Sequence, residues 1–456
     1  MHKLTSLLLL LSLTFIISCS SDDDSYTALN IEINSENVSV DQNNTVEVFI
    51  FDNDSNIPTT GTITLTSPTK GTVVINDFNN TPSDPSDDSV IFSTSPNRTG
   101  EDTFNYTVCD DNNNCATGTV TVNIISISNV NYDLDNFPFQ TLSEYNFFQG
   151  ELKNLNPNYG VLPYKLNSKL FTDYAKKKRF VWIPTNSSAS YEGDGELLTY
   201  PNGTVLIKNF YYENALPGNT TRIIETRLMI KKSGNWIFAD YVWNADQTEA
   251  SLDLNGSLVN VQWEQDGEME DIQYRIPSQA ECVTCHKITE VPFPIGTKPR
   301  NLNLTYDYGD GVENQIDKWT NFGYLENALP SSSISSVVDY EDLTAPLEER
   351  VRAYVDINCA HCHKDEGHCD YRPIRLDYES TDVYANFGVC VDPDEFVNPD
   401  LQHIVEPGDS RNSMLHFRLS STDESYRMPL LGRSIVHQEG VELIEEWIDQ
   451  LSESCD

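Results

Sequence analysis

Between about Asn30 and Ile125, apolar and polar positions alternate in short runs: Val38 to Val40, Thr45 to Ile50, Gly61 to Thr66, Gly71 to Ile75, Thr103 to Val108 and Thr117 to Ile124. A period of two puts alternate side chains on one face, and Asp, Asn, Pro and Gly punctuate the runs, so an antiparallel β-sandwich is expected. From about Phe137 to Ile276 the alternation returns with more aromatic residues, in 180–182, 204–212, 225–230 and 236–238, and predicts a central β-rich domain. The period then changes. Leu347, Val351, Tyr354 and Val355 recur at helical spacing, as do Val441, Ile444, Trp447, Ile448 and Leu451, so the expected fold class is multidomain with an all-α C-terminal domain.

The chain has 456 residues, too many for one core. Its N-terminus reads as an export leader, with Lys3 followed by an apolar run from Leu7 to Ile17 that is too short for a permanent membrane span. Ile16-Ile17-Ser18-Cys19 resembles a bacterial lipobox, which implies cleavage before Cys19 and a diacylglycerol on its sulfur; an ordinary secretory signal cleaved elsewhere is the alternative. The following Ser20-Ser21-Asp22-Asp23-Asp24 resembles the acidic tether of surface lipoproteins, and it is also simply a good flexible linker. The expected location is extracytoplasmic and lipid-anchored to the outer membrane, with the cell surface left open as the face. A net charge of −41 argues against nucleic acid or anionic lipid as partners and suits a basic redox partner or plain solubility.

Ten cysteines change the picture most. Cys282-Val283-Thr284-Cys285-His286 and Cys359-Ala360-His361-Cys362-His363 are both CxxCH, and composition alone predicts about 0.004 such matches in a chain of this kind. Two thiols at that spacing can add to the two vinyl groups of a haem while the next histidine ligates its iron, so two covalent haems c are expected. A thioredoxin-like CxxC or a zinc knuckle remains open, though neither uses the histidine. Of the other cysteines, Cys109 and Cys115 flank the turn 110–114 and are expected to pair; Cys369 with Cys390 is a plausible second pair, which leaves Cys455 over.

Several stretches carry family resemblances. Residues 48–54, 70–73 and 100–108 look like a bacterial cadherin-like, immunoglobulin-type repeat, whose acidic loops could hold Ca²⁺ or could merely be Asx turns. The two C-terminal helices bracketing a CxxCH are similar to the crossed helices of a class I cytochrome c, which would make the C-terminal all-α domain class I cytochrome c-like. That fold implies a methionine as second axial ligand, and Met428, followed by Pro429, is preferred over Met414. Segments 161–164, 167–175, 241–250, 294–296 with 300–303, and 427–434 resemble a family of exported bacterial dihaem c-type cytochromes of unassigned role. The resemblance runs from about Phe137 to the end and implies His286, His363 and Met428 as iron ligands. A fainter likeness, to the β-sheet cytochromes c′-beta, is confined to the region ending at Cys282.

The expected organisation is a signal peptide at 1–18, an acidic tether at 19–34, a cadherin-like sandwich at 35–126, a β-rich domain at 137–280, a haem 1 segment at 281–345 and a haem 2 domain at 346–456. The leading function is electron transfer between a donor and an acceptor protein through two haems. A dihaem enzyme with an open, peroxidase-like haem 1 is the alternative, because 287–345 holds no methionine or histidine. More distant donors to haem 1 would be Met229, Met269, His403, His416, His437 or Lys298. A surface binding or adhesion protein is the third reading.

Overall fold

The computed structural model describes residues 28–452, 454 and 455, apart from 266 and 310. The expected leader, Cys19 and most of the tether lie outside the described residues. Among those described, no helix is long and apolar enough to cross a membrane.

The first domain is a seven-strand sandwich: β1 (Glu36–Asp41), β2 (Thr45–Val48), β3 (Gly61–Leu65), β4 (Gly71–Asn76), β5 (Ser89–Thr94), β6 (Gly100–Asp110) and β7 (Cys115–Ile125). One sheet runs β1-β7-β6-β3 and the other β2-β5-β4, with Val48, Phe92, Phe104 and Val122 closing the space between them. The sandwich is not wholly antiparallel, since β1 pairs with β7 in parallel. Strand β5 was not apparent in the pattern because it follows a long polar stretch, yet its Val90 and Phe92 are fully buried. Cys109 is bonded to Cys115 across the β6–β7 turn. In the acidic loop expected to be able to hold Ca²⁺, the Asp54 carboxylate is engaged internally, accepting from Asn34 N–H and the Tyr106 hydroxyl. The domain also touches the rest of the chain: Asn97 donates to the carbonyls of Pro184 and Ser187 and accepts from Asn186 N–H.

The central region is an antiparallel sheet of β8 (Leu162–Tyr164), β9 (Lys176–Trp182), β10 (Val205–Ala215), β11 (Thr220–Lys232), β12 (Asn235–Trp243) and β13 (Ala250–Asp253) in that order. The hairpin β14 (Ser257–Gln265) and β15 (Glu268–Ile276) joins the end of β10 where Ala215 meets Trp263. Both faces are covered. Ile207 and Leu228 pack under the aromatic cluster of Phe137, Tyr145, Phe147 and Tyr241, while Leu206 belongs to the opposite core.

The C-terminal part departs from expectation. It is not a compact all-α cytochrome domain; the chain is β-rich overall and its helices are few and scattered. After α1 (Gln279–Cys285), α2 (Pro299–Leu302) and α3 (Gln315–Asn321) come α4 (Leu347–Asn358), α5 (Tyr384–Phe387), α6 (Met414–Ser420) and α7 (Gln438–Gln450). The amphipathic pairs at 347–355 and 441–451 do form helices that meet, with Trp447 Nε1–H donating to Glu348 at 2.9 Å. Between Cys359 and Met414, however, turns rich in Asp, Pro and Gly admit only the four residues of α5 and short 3₁₀ turns. Nor is there a separate core: one apolar cluster runs from Leu162 and Val181 of the sheet through Trp319 to Val351, Trp447 and Ile448. Helical periodicity reports that a face is buried, not against what.

The expected Cys369–Cys390 pair is also corrected. Cys390 is bonded to Cys455, 65 residues on, with their Cα atoms 5.2 Å apart. Helix α7 carries the tail back over the 390 loop, while the Cys369 thiol is free and lies beside Cys362.

Candidate haem-binding site

The two CxxCH motifs, 77 residues apart in sequence, face each other. Helix α1 starts on a capping box, in which Ser278 Oγ accepts from Glu281 N–H and Glu281 accepts from Ser278 N–H at 2.9 Å, so the thiols of Cys282 and Cys285 ride on a fixed turn. The second motif follows α4 directly, its backbone held by Cys359 N–H to Val355 O and His363 N–H to Cys359 O. Cys282, Cys285, Cys359 and Cys362 are all free thiols. One ligating atom from each of Cys285, His361 and Cys362 lies within 4.8 Å of the others.

Two cavities flank this meeting point, one of about 160 Å³ beside Cys282, Cys285 and His286 and one of about 360 Å³ beside Cys359, Cys362 and His363. They share a wall of Cys285, Asn358, His361, Leu419, Met428 and Leu431. The sheet forms one side of the first cavity through Leu206, Met229 and Phe238, with the Phe238 ring 5.2 Å from that of His286. The second cavity is lined by Ile374, Leu376, Ile404, Met414 and Leu415.

The histidines are set up as neutral donors. His286 Nδ1–H donates to the Phe293 carbonyl at 3.0 Å, which fixes the tautomer that leaves Nε2 with its lone pair. Burial pushes His286 down to about 3 and His363 to about 4. His363 Nδ1 is buried without a hydrogen-bond partner among the described residues, and so is Nδ1 of His361. Burial likewise raises the Cys282 and Cys359 thiols to about 12. Cys285 moves the other way, held low by the Cys362 thiol and by His361.

The loop carrying Met428 is clamped from both sides. Arg433, buried, donates to the carbonyls of Met428, Leu419 and Ser421, and Met428 N–H donates to Arg418 O. Asp173 accepts from the Ser434 and Ile435 N–H groups, tying this loop to 167–175. Asn167 and Ser168 in turn bond the backbone and side chain of Asn301. Three of the segments that carry the dihaem resemblance therefore form one hydrogen-bonded cradle.

The family match is confined to the first domain. Residues 27–123 match the family described as "Bacterial Ig domain". The N-terminal part of the chain is an Ig-like domain. No curated protein matches the chain. Among solved structures, a 2,6-sialyltransferase of Vibrionaceae Photobacterium sp. JT-ISH-224 is 15% identical over 21% of this chain at a TM-score of 0.16, and the chain spans 18% of that enzyme's length. Protocadherin gamma B7 cadherin domains 1–4 (8% identity, 54% of this chain and 76% of that one, TM-score 0.17) and Sidekick-1 immunoglobulin domains 1–4 (8%, 54% and 75%, 0.15) are similarly remote. At those TM-scores the likenesses carry no argument.

The structure sorts the expected ligands. Met428 lines both cavities and Met414 only the second, where its sulfur shares the lining with His363. Of the distant donors considered as second ligand at the first motif, Met229 and His437 line the first cavity, whereas Met269, His403, His416 and Lys298 do not. His437 is engaged elsewhere, stacked on Phe171 at 4.1 Å with Nδ1 at 3.2 Å from the Tyr354 hydroxyl. Sequence reasoning passed over His361, treated as a variable residue of the motif, and Asn358, which accepts from Phe171 N–H. Four chemistry-bearing residues in the five consecutive positions 359–363 were the available signal.

The residues present fit a haem at each motif. Paired free thiols with a neutral imidazole beside them are the donor set of a thioether-linked haem, and apolar side chains stand in each cavity, Leu206 and Phe238 in the first and Ile374 and Leu376 in the second.

Proposed function

We propose that this chain is an exported dihaem c-type cytochrome lipoprotein that passes electrons between a donor and an acceptor protein. The observation that carries the reading is the convergence of the two CxxCH motifs on one shared wall, each with free thiols and its own cavity. The resemblance of 161–164, 167–175, 241–250, 294–296 with 300–303, and 427–434 to exported dihaem cytochromes supports it. Haem supplies one-electron chemistry at a potential set by its ligands and surroundings. The chain's own contribution is positional. Cys282, Cys285, Cys359 and Cys362 would anchor, His286 would donate from the orientation its bond to the Phe293 carbonyl fixes, His363 would donate from the second cavity, and the Arg433 clamp would present Met428. The motifs' contact through Cys285 and Cys362 supports reading them as one electron-transfer unit, and the acidic composition suits basic partners. The lipobox-like leader supports a location outside the cytoplasm on a membrane anchor, with the Ig-like domain as a spacer in sequence between the anchor and the CxxCH region.

A haemochrome assay on denatured full-length protein tests the reading: two haems per chain are expected, and one in the Cys282→Ala/Cys285→Ala variant. No retained haem in protein made by cells that perform haem attachment sinks it. A second reading is favoured by the Cys285–His361–Cys362 cluster, next to which Cys369 lies in hydrogen-bond contact with Cys362. Three thiols and an imidazole are a tetrahedral zinc donor set. Stoichiometric zinc in haem-free protein isolated from the native host would select it.

A further inference from the structure

The wall of the first cavity contributed by the sheet carries a row of charge. In the register of the strands, Arg179 of β9 lies opposite Lys208 of β10, Lys208 opposite Arg227 of β11, and Arg227 opposite Asp240 of β12. All four line the cavity beside His286. Like charges directly opposite one another across strands destabilise a sheet, and here three cations stand in succession.

Only one end of the row is neutralised. Arg227 is bidentate to the fully buried Glu225, which also accepts from the Tyr274 hydroxyl, and lies 4.0 Å from Asp240. Arg179 is 5% exposed and has no ion-pair partner among the described residues, and its Nη2 is buried without any hydrogen bond. Lys208 has no ion-pair partner among the described residues either; its ammonium sits 4.9 Å from the Phe210 ring centre. Burial and the neighbouring cations press the Lys208 ammonium well below its ordinary range. A buried guanidinium nitrogen with nothing to donate to costs on the order of 1–3 kcal/mol, more when charged, so the arrangement calls for an anion. The rest of the lining is mixed: Phe171, Leu206, Ile295, Leu431 and Val441 supply apolar surface, while Arg275, Glu281, Asn358, His361 and Arg433 add polar and charged groups.

We propose that Arg179 and Lys208 form a carboxylate-binding site inside the first cavity, for a ligand whose body is apolar and whose edge carries carboxylates. On the haem reading, on which this source rests, the carboxylates are haem propionates; otherwise they belong to a free organic acid. Charge-assisted hydrogen bonds from Arg179 and Lys208 replace the unfavourable cation row with paired groups.

Protoporphyrin IX and its dimethyl ester separate these possibilities, since they share a ring, lack a metal and differ only in two carboxylates. Full-length protein prepared without attached haem is titrated with each by fluorescence, and with succinate by thermal melting. The diacid is expected to bind at least about tenfold more tightly than the diester. Arg179→Gln with Lys208→Met is expected to abolish that preference while leaving diester affinity unchanged. Equal affinity for acid and ester in the wild type with no stabilisation by succinate overturns the site, as does a preference that survives the double substitution. If the double variant loses the diester too, Lys208→Met alone is judged by the same criterion. Protein that binds neither porphyrin but is stabilised by succinate through Arg179 and Lys208 keeps the site and removes the haem reading.

Discussion

At the scale of single residues, the cavity walls hold ionisable groups out of water, and His437 shows what that does to stability. Its imidazole is 8% exposed, stacked on Phe171, and pushed down to about 4 by burial, with Lys177 and Arg433 adding to the effect and Glu341 opposing it. The unfolded chain binds this proton near pH 6.5 and the folded chain only near 4, so between those values the unfolded state holds more protons. Stability is therefore untouched by this group above about pH 6.5 and falls as the pH drops through the window, by up to about 1.4 kcal/mol per pH unit. Urea unfolding of wild type and His437→Phe at pH 7 and pH 5 measures it: the variant should lose less stability between the two, and equal losses would mean His437 is protonated in the fold. Burial likewise holds the His286 and His363 imidazoles neutral, and a neutral imidazole keeps its lone pair.

At the scale of elements, local pattern located strands and helices well where one face is buried, and failed where a long-range partner decides the outcome. Strand β5 is an example: Ser89 to Thr94 is a short run after ten polar or turn-forming residues, and only β2 and β4 on either side make it the middle of a sheet. The disulfides divide in the same way. Cys109 and Cys115 pair through a hairpin that the sequence itself closes, whereas Cys390 meets Cys455 only because α7 returns the tail to the 390 loop. Non-reducing peptide mapping should find Cys390 joined to Cys455 and a free Cys369. By loop-closure entropy, Cys390→Ala/Cys455→Ala should cost about 4 kcal/mol and Cys109→Ala/Cys115→Ala about 2, readable as shifts in the denaturation midpoint. A larger loss from the second pair would show that the hairpin bond relieves something other than chain entropy.

At the scale of the whole molecule, the described chain divides once rather than three times. The Ig-like domain has its own core of Val48, Phe92, Phe104 and Val122 and meets the remainder through polar contacts at Asn97 and Asn186. Beyond it, the sheet, the segment after α1 and the C-terminal helices share one apolar cluster, and Asp173, Asn301 and Asn358 stitch them with buried hydrogen bonds. Limited proteolysis should consequently release the Ig-like domain by cutting near 126–130 and leave one resistant fragment from there to the C-terminus. A stable product ending near residue 345 would contradict the shared core, because removing 346–456 uncovers the apolar surface of Leu206, Tyr164 and Trp319. The sialyltransferase, protocadherin and Sidekick likenesses have no bearing on this division.

The sequence by itself determined the sandwich, the central strands, the two long helices and the paired CxxCH motifs, because each depends on side chains within a few positions of one another. It also located the segments that became the cradle, 167–175, 300–303 and 427–434. Which surfaces those elements share was decided only by the tertiary structure. The same helical stripe of Val351, Tyr354 and Val355 serves equally in an independent helical domain or against a sheet, and here it joins the sheet's core. Likewise, nothing within 176–240 announces that Arg179, Lys208, Arg227 and Asp240 form one row, since that alignment is a matter of strand register between segments tens of residues apart. The contact of Cys285 with Cys362 is of the same kind, a long-range meeting fixed by burial of a shared core rather than by any local signal.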